Sequence, residues 1–463
     1  MPAIITKDFR VHNAKQFEES FGETADTYYL AIGRPQAFAD NQAFNDGTDS
    51  APPTPVDSVG SVEYYAYDDF LSAKKITSSD VSLVIPRRNW TTGTVYDYYR
   101  HDYGDINTAG SVISSDSGAT SLYDATFYVM NSTFDVYKVI DNNSGGASTV
   151  EPSGNKSTSV FSTGDSYKWK YMYSLSASEQ ANFLSTDFMH VSTESSDFST
   201  TGGAIEHVKI TAGGSGGTNG TYTGVDIRGD GSSGKATIVV ASNAVSSVTI
   251  TTAGSGYTYA SVKASDFGSV SGSDIDFIIS PPGGHAADVV TELGGFFVMT
   301  NVDLTQADGS GDFSTGNDFR RIALLRNPTD STTGSTASAT TLDATKSITF
   351  SGTPGSFQAD EKITQATTGA VGFVVDFNST TKVLRYVQPQ FADQGVDSDG
   401  NLTAFASTHT VTGATSSATG TPSSHDTTPE LTHDTGDILY IENRKPISRA
   451  ADQTENVKLI VEF

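Results

Sequence analysis

The chain has 463 residues, of which 28 are Lys or Arg and 54 are Asp or Glu, so its formal net charge is −26. An acidic surface repels phosphate backbones, so we expect no nucleic-acid partner. The absence of Cys excludes disulfides and thiolate metal sites. Because neither a signal peptide pattern nor an apolar run of about 18 residues occurs, we expect no membrane insertion and synthesis in the cytoplasm.

The composition favours β-structure. Gly, Ser, Thr and Asn are abundant, charged residues make up only 18%, and there are 25 Phe and 20 Tyr. Short strands joined by many turns use these residues, whereas long helices are rich in Ala, Leu, Glu and Lys. We predict a mainly β fold, with a β-sandwich-rich core, few short helices and about three domains.

The first hundred residues predict one helix and one strand. Apolar residues at positions 9, 11, 17 and 21, with charged residues between them, predict a short amphipathic helix ending near Gly22. Residues 27–32 predict a strand. The segment 51–57 has three prolines in four positions and is therefore extended, without being a central strand.

The next hundred residues alternate strand and turn signals. Strands are predicted at 125–130, 134–140 and 167–173. In the third of these, Lys168 and Lys170 alternate with aromatic residues, which predicts one solvated face. Ser176 and Glu179 have the spacing of a capping box and predict a short helix over 177–184.

Residues 203–280 are dense in Gly, Ser, Thr and Val and contain an internal repeat. The pattern Val208-Lys-Ile-Thr followed by Gly214-Ser-Gly216 recurs forty residues later as Val248-Thr-Ile-Thr followed by Gly254-Ser-Gly256. Two related β-units joined by Gly-rich turns produce such a repeat. We interpret this segment as an inserted β-module.

A second inserted β-module is predicted over 343–392, where four short strands alternate with Gly turns. A polar Ser/Thr/Gly stretch over 393–430 is predicted to be a linker. The core then comprises 1–202 together with 281–342 and 431–463. The terminal strands at 437–442 and 457–463 are expected to pair into its main sheet.

Two glycine motifs match a nucleotide-binding pattern and a catalytic pattern, but neither is followed by the helix that the pattern requires. Gly229-Asp-Gly-Ser-Ser-Gly-Lys235 fits a nucleotide-binding pattern, but a strand follows it instead of the required helix. Gly213 to Gly217 fits a nucleophile elbow, again without a helix. The eight His residues form no zinc pattern, and the acidic loop from Asp397 to Asn401 only partly resembles a calcium loop. We predict no catalytic residues, cofactor or metal.

Five stretches, whose order along the chain is that of the family, resemble the dimeric baseplate wedge subunit of T4-like contractile-tailed phages. Ile85-Pro-Arg-Arg-Asn-Trp90 resembles an Ile-Pro-Arg-Arg-Asp-Trp element, with Asn89 replacing the acid. Gly164-Asp-Ser-Tyr167 resembles a strand start in which Ser166 replaces Gly. The other three stretches are 51–59, 319–328 and 436–455, the last being the most similar.

The resemblance implies a β-sandwich-rich homodimer without known catalysis, located in the tail baseplate of the virion. Its implied partners are other baseplate wedge proteins, with tail-fibre proteins as a further option. The matched residues, expected to be structural or interfacial, are Pro86, Arg87, Arg88, Trp90, Tyr440, Glu442, Asn443, Arg444, Pro446, Asp452 and Gln453.

The chemistry of these residues leaves their roles open. Arg87 and Arg88 either pair with local acids or bridge to another subunit, and Trp90 is a core residue or an interface anchor. Glu442 to Arg444 are expected at a strand end, where their hydrogen bonds would tie a turn. The Gly/Ser/Thr-rich modules and aromatic residues suggest an alternative function, a receptor- or glycan-binding tail protein. The abundant acids alone raise a third, a glycan hydrolase.

Overall fold

The computed structural model of the chain describes residues 6–38, 47–55, 66–106, 110–154, 156, 159–193, 201–304, 313, 316–389, 395–399, 401–448 and 455–463. The fold is mainly β, which confirms the predicted class. The chain divides into two compact units. The first unit comprises Met1–Gln16, Ser82–Met299 and Ile460–Phe463, and the second comprises Phe17–Val81 and Thr300–Leu459.

The described helices are short: α1 (Lys7–Ser20), α2 (Ala177–Phe183) and α3 (Val289–Leu293). The predicted capping box at α2 is confirmed. Ser176 Oγ accepts a hydrogen bond from the Glu179 N–H at 3.3 Å, and Glu179 Oε2 accepts one from the Ser176 N–H at 2.7 Å. Two main-chain donors at the helix start are thereby satisfied. The predicted N-terminal helix is α1, which ends two residues before Gly22.

The strands are numbered in chain order. Before the first predicted module they are β1 (Tyr28–Gly33), β2 (Phe70–Ile76), β3 (Val81–Pro86), β4 (Tyr128–Met130), β5 (Asp135–Asp141), β6 (Phe161–Ser162), β7 (Lys168–Ser174) and β8 (Phe188–His190). Within that module they are β9 (Ile205–Ser215), β10 (Gly220–Asp226), β11 (Arg228–Gly229), β12 (Lys235–Ala241), β13 (Ala244–Thr252), β14 (Ala260–Ser261) and β15 (Ser271–Ile279).

After the first module come β16 (Phe297–Leu304), β17 (Asp318–Arg326), β18 (Thr329–Asp330), β19 (Ser335–Thr336) and β20 (Thr341–Asp343). The strands of a closed barrel follow: β21 (Lys346–Ser351), β22 (Lys362–Gln365), β23 (Ala370–Asn378), β24 (Val383–Val387), β25 (Val411–Gly413) and β26 (Thr419–Asp426). The last two strands are β27 (Asp437–Ser448) and β28 (Glu455–Glu462). A four-stranded sheet has the order β28-β16-β3-β8.

The first unit contains a four-stranded sheet of order β4-β5-β7-β6. Lys138 of β5 is the register partner of Lys170 in β7, and Val139 is that of Trp169. The predicted solvated face of β7 is wrong, because Lys170 is buried along with the aromatic residues beside it. Both faces of this sheet are covered, and the buried lysines require polar partners there.

The first predicted module, β9 to β15, encloses a hydrophobic cluster of its own, which includes Ile205, Tyr257 and Phe277. The two copies of the sequence repeat share a backbone conformation at their first glycine, although Gly214 lies within β9 and Gly254 follows the end of β13. Gly214 and Gly254 both adopt positive φ, at 71° and 64°. A Cβ atom at either position would lie 2.6 Å or less from a main-chain oxygen, so both positions require glycine.

The second unit is built on a five-stranded antiparallel sheet of order β20-β2-β1-β17-β27. A row of buried alanines crosses its centre, where Ala31 is the register partner of both Ala73 and Ala323. These small side chains leave room for Tyr29 and Phe70 in the same cluster. Strand β1 is buried along its whole length, which accounts for its continuous apolar sequence.

The barrel, β21 to β26, lies in the second unit and differs from the sequence prediction. Strands β25 and β26 fall within 393–430, which was predicted to be a linker, so that prediction is wrong for this part. The inward residues of β26 are Gly420 and Pro422, and a Cβ at Gly420 would lie 2.6 Å from the ring of Phe350. A small residue is therefore needed at position 420, so β26 lacks the hydrophobic pattern of a strand. We propose that the barrel and residues 203–280 are insertions into the core.

Candidate functional site

The first group of predicted site residues lies in the first unit, at the end of β3 and directly after it. Pro86 ends that strand, and its carbonyl accepts a hydrogen bond from the Tyr128 hydroxyl at 2.8 Å. Trp90 donates from Nε1 to Ser148 Oγ at 3.0 Å. The first contact holds the end of β3 against β4, and the second holds Trp90 against the loop that follows β5.

Arg87 and Arg88 bind main-chain carbonyls. Arg87 donates to the Ser185 carbonyl at 2.8 Å, and Arg88 donates to the carbonyls of Tyr123 and Ala125. The Arg88 guanidinium also lies 4.5 Å from the centre of the Tyr128 ring. Neither arginine is paired with a carboxylate among the described residues, so the predicted pairing with local acids is not found. The contacts are those of residues that fix loops within one chain.

The second group lies in the second unit, on β27. The Tyr440 hydroxyl is 3.1 Å from Glu442 Oε2, and Arg444 Nε is 3.1 Å from Glu442 Oε1. These three side chains therefore lie along one face of the strand, and they are exposed or half-buried. The prediction that Glu442 to Arg444 end a strand is wrong, because β27 continues to Ser448.

Asn443 points away from that face and joins a buried ionic cluster. Its Oδ1 accepts a hydrogen bond from Arg321 Nε at 3.1 Å, and its Nδ2 donates to the Pro53 carbonyl at 3.1 Å. Arg321 in turn binds Asp69 at 2.7 Å. Asn443 therefore has a structural role. Pro446 lines a surface cavity beside β27, whereas Asp452 and Gln453 lie outside the described residues.

Sequence reasoning missed the buried charges of both units. In the second unit, Asp69 is fully buried between Arg321 and Arg34. Burial raises the pKa of the Asp69 carboxyl, and the two arginines oppose that rise. In the first unit, Lys138 binds Glu292 within the core. No local pattern marks these residues, since their partners are distant in sequence.

Each unit also contains a further titratable group that the sequence did not predict: His285 in the first unit and Asp360 in the second. Burial, followed by the charges of Lys138 and Lys170, lowers the pKa of His285 well below its usual range, so its ring is neutral. Burial raises the pKa of the Asp360 carboxyl to about 7. Its Oδ2 accepts from the Asp318 N–H at 2.9 Å, whereas its Oδ1 has no hydrogen-bond partner in the described part of the chain.

The described residues contain no group of three His, Asp or Glu side chains suited to holding a metal ion. The Asp397 carboxylate of the acidic loop accepts hydrogen bonds at 2.9 Å from the N–H groups of Asp399 and Asn401. The glycine motif ending at Lys235 leads into strand β12, as predicted. None of the described helices combines the length and the apolar character that crossing a bilayer requires.

Comparison with known proteins points to one class, the structural proteins of phage baseplates. Residues 3–145 match the family model of Gp8 from bacteriophage T4. The baseplate wedge protein gp8 of Enterobacteria phage T4 is 30% identical over 122 residues. That alignment covers 25% of this chain and 35% of the T4 protein, so about a third of that relative's length is matched. The residues that match the family model include Pro86 to Trp90 but not β27.

Proposed function

We propose that this chain is a structural component of a phage tail baseplate wedge, which assembles as a homodimer with other wedge proteins. The observation that carries the proposal is the similarity of residues 3–145 to the T4 Gp8 family. The later stretches that resemble the same family, at 164–171, 319–328 and 436–455, follow in the family's order and add support.

The geometry is in keeping with a structural role. The arginines and the tryptophan of the matched segment bind main-chain carbonyls and a serine within the first unit, where they stabilise the loops after β3. We therefore propose a protein without catalytic activity, located in the tail baseplate of the virion and assembled in the host cytoplasm. The comparisons do not favour the receptor- or glycan-binding alternative.

The test is the mass of the full chain in solution, alone and mixed with the candidate wedge proteins of the same phage. Light scattering should give a dimer of the 48.8 kDa chain that enters a larger complex of fixed stoichiometry. A stable trimer that ignores those proteins would overturn the proposal. Binding to a glycan array by such a trimer would favour the receptor-binding alternative instead.

A further inference from the structure

Strand β27 forms one edge of the five-stranded sheet in the second unit. It pairs with β17, and no strand borders its other side within the described ranges. With twelve residues it is a long edge strand. An unpaired edge of this length offers main-chain donors and acceptors to another chain, and proteins usually cover or distort such edges.

The edge is distorted by two bulges, which place apolar side chains on the surface. The register with β17 shifts between Leu324 and Leu325, where Leu439 is the additional residue of β27. Ile438 and Ile441 pack against the core, whereas Leu439 and Tyr440 between them are 42% and 38% exposed. A bulge breaks the alternation of the strand and thereby turns both side chains outward.

The second bulge carries positive charge. The register shifts again between Phe319 and Arg321. Three residues of β27, Arg444, Lys445 and Pro446, therefore lie opposite the single residue between them in β17. Lys445 is exposed and forms no ion pair with any described residue. A cavity of about 440 Å³ adjoins it and is lined by Pro52, Pro446 and Ile447 as well as the two cations.

The charges of β27 are self-complementary. Asp437 lies near one end, where it pairs with Arg326 at 2.6 Å but keeps 58% of its side chain exposed. Lys445 lies near the other end, eight residues away along a strand that the two bulges shorten. If two copies of β27 run antiparallel about a twofold axis at Ile441, Asp437 of each lies opposite Lys445 of the other. The twofold axis then produces this charge contact twice.

We infer that β27 is the surface on which a second copy of this chain docks, with Leu439 and Tyr440 covered at its centre and Asp437 facing Lys445 at both ends. This inference rests on the proposed homodimer and names its interface. Pro446 donates no hydrogen bond and the bulges interrupt the edge, so side chains carry most of the contact. Charge pairs at the rim make association dependent on salt.

The experiment measures the dimer dissociation constant of the full chain by sedimentation equilibrium at about 50 mM and about 500 mM salt. Asp437→Lys and Lys445→Asp, each alone, should weaken the dimer about tenfold at low salt, because like charges then face each other. The double variant should restore the affinity. Tyr440→Ser should weaken the dimer at both salt concentrations. The matched control is the same charge exchange at the exposed Asp226–Lys235 pair of the first unit. It should leave the dimer dissociation constant unchanged.

Two results would overturn the inference. A dimer whose affinity is unchanged by either single charge reversal and by Tyr440→Ser has its interface elsewhere, and the proposed wedge function then still stands. A chain that remains monomeric at every concentration has no such interface. In that case, mixing with the candidate wedge proteins decides separately whether the proposed function also fails.

Discussion

Arg321 and Asp69 form an ion pair inside the second unit, with Arg321 Nη1 2.7 Å from Asp69 Oδ1. The side chain of Asp69 is 0% exposed and that of Arg321 is 6% exposed. Arg34 is a second cation near this carboxylate, at 3.9 Å. The pair joins β17 to the residue that precedes β2, and Asn443 of β27 extends it through Arg321 Nε. Buried or partly buried polar contacts thus connect the residue before β2, strand β17 and strand β27.

Replacing Arg321 with Met should destabilise the second unit strongly. The change leaves the Asp69 carboxylate buried without its closest cation, and breaking a buried pair from one side costs about 3–5 kcal/mol. The melting temperature by calorimetry measures the effect. The control is Arg326→Met on the same strand, whose pair with Asp437 is exposed and should matter little. Equal melting temperatures for the two variants would contradict a special role for the buried pair.

Asp360 should make the stability of the second unit fall as pH rises. Its carboxyl has a pKa of about 7 in the folded chain against an ordinary value of 3.8, chiefly because of burial. The folded state therefore holds more protons than the unfolded state between these values, and stability declines from about pH 4 to about pH 7. The nearby charged groups are Asp318, which adds to the rise, and Arg320, which opposes it.

Asp360→Asn should remove this part of the pH dependence. Asn tolerates the positive φ of 63° at this position. The variant should match the original chain near pH 4 and exceed its stability by about 1–2 kcal/mol at pH 8, after allowance for partial exposure. Melting temperatures across this pH range measure the difference. Asp376→Asn, at an exposed position of β23, is the control. Parallel curves for Asp360→Asn and the original chain would refute the assignment.

The sequence predicts features whose partners are close together along the chain. The capping box at α2 joins Ser176 to a residue three positions away, and its prediction is confirmed. The burial of Lys170 and Lys138 was missed because it depends on distant segments, and Lys138 and Glu292 are 154 positions apart. A period of two in β7 correctly indicated a strand, but it does not show whether one or both faces are covered.

The same limit applies to β27 and to the barrel. The strand itself was predicted, but its bulges arise from the register with β17, which lies more than a hundred residues earlier. Strand β26 has a polar sequence in which Phe350 fills the space that a larger side chain at Gly420 would need. In β26, packing by a distant aromatic side chain thus excludes a large apolar residue from an inward position, and the alternation that marks a strand is lost.

Arg88→Lys should destabilise the first unit by about 1–2 kcal/mol. The planar guanidinium of Arg88 reaches the carbonyls of Tyr123 and Ala125 while it stacks on Tyr128. An ammonium group does not reproduce all three contacts. Unfolding in urea, followed by tryptophan fluorescence, measures the change, because Trp90 and Trp169 both lie in this unit.

The neighbouring Arg87→Lys is the matched control, with a smaller expected loss. Arg87 Nη1 donates to the Ser185 carbonyl at 2.8 Å, a contact that lysine can replace, and its Nε contact with Asn89 is exposed. An Arg88→Lys chain that unfolds like the original but no longer joins a wedge complex would contradict the structural role. It would assign Arg88 to an interface.

The barrel should fold without the rest of the chain, and the rest should fold without the barrel. Its interior is a separate hydrophobic cluster that includes Ile348, Tyr386 and Phe405. The chain enters and leaves it at adjacent points, since Ser347 is the register partner of Asp426 and the Leu431 N–H donates to the Asp343 carbonyl at 3.0 Å. A short linker can therefore replace the barrel segment with little distortion of the five-stranded sheet.

Two chains test this expectation: residues 344–430 alone, and the full sequence with 346–428 replaced by Gly-Ser-Gly. Each should show a cooperative thermal transition by circular dichroism. The shortened chain loses the contacts of Arg385 with Asp343 and of Asp360 with Asp318, so its transition should lie a few degrees lower. A shortened chain that aggregates, or an isolated barrel without a cooperative transition, would show that the barrel and the sheet stabilise each other and form one folding unit.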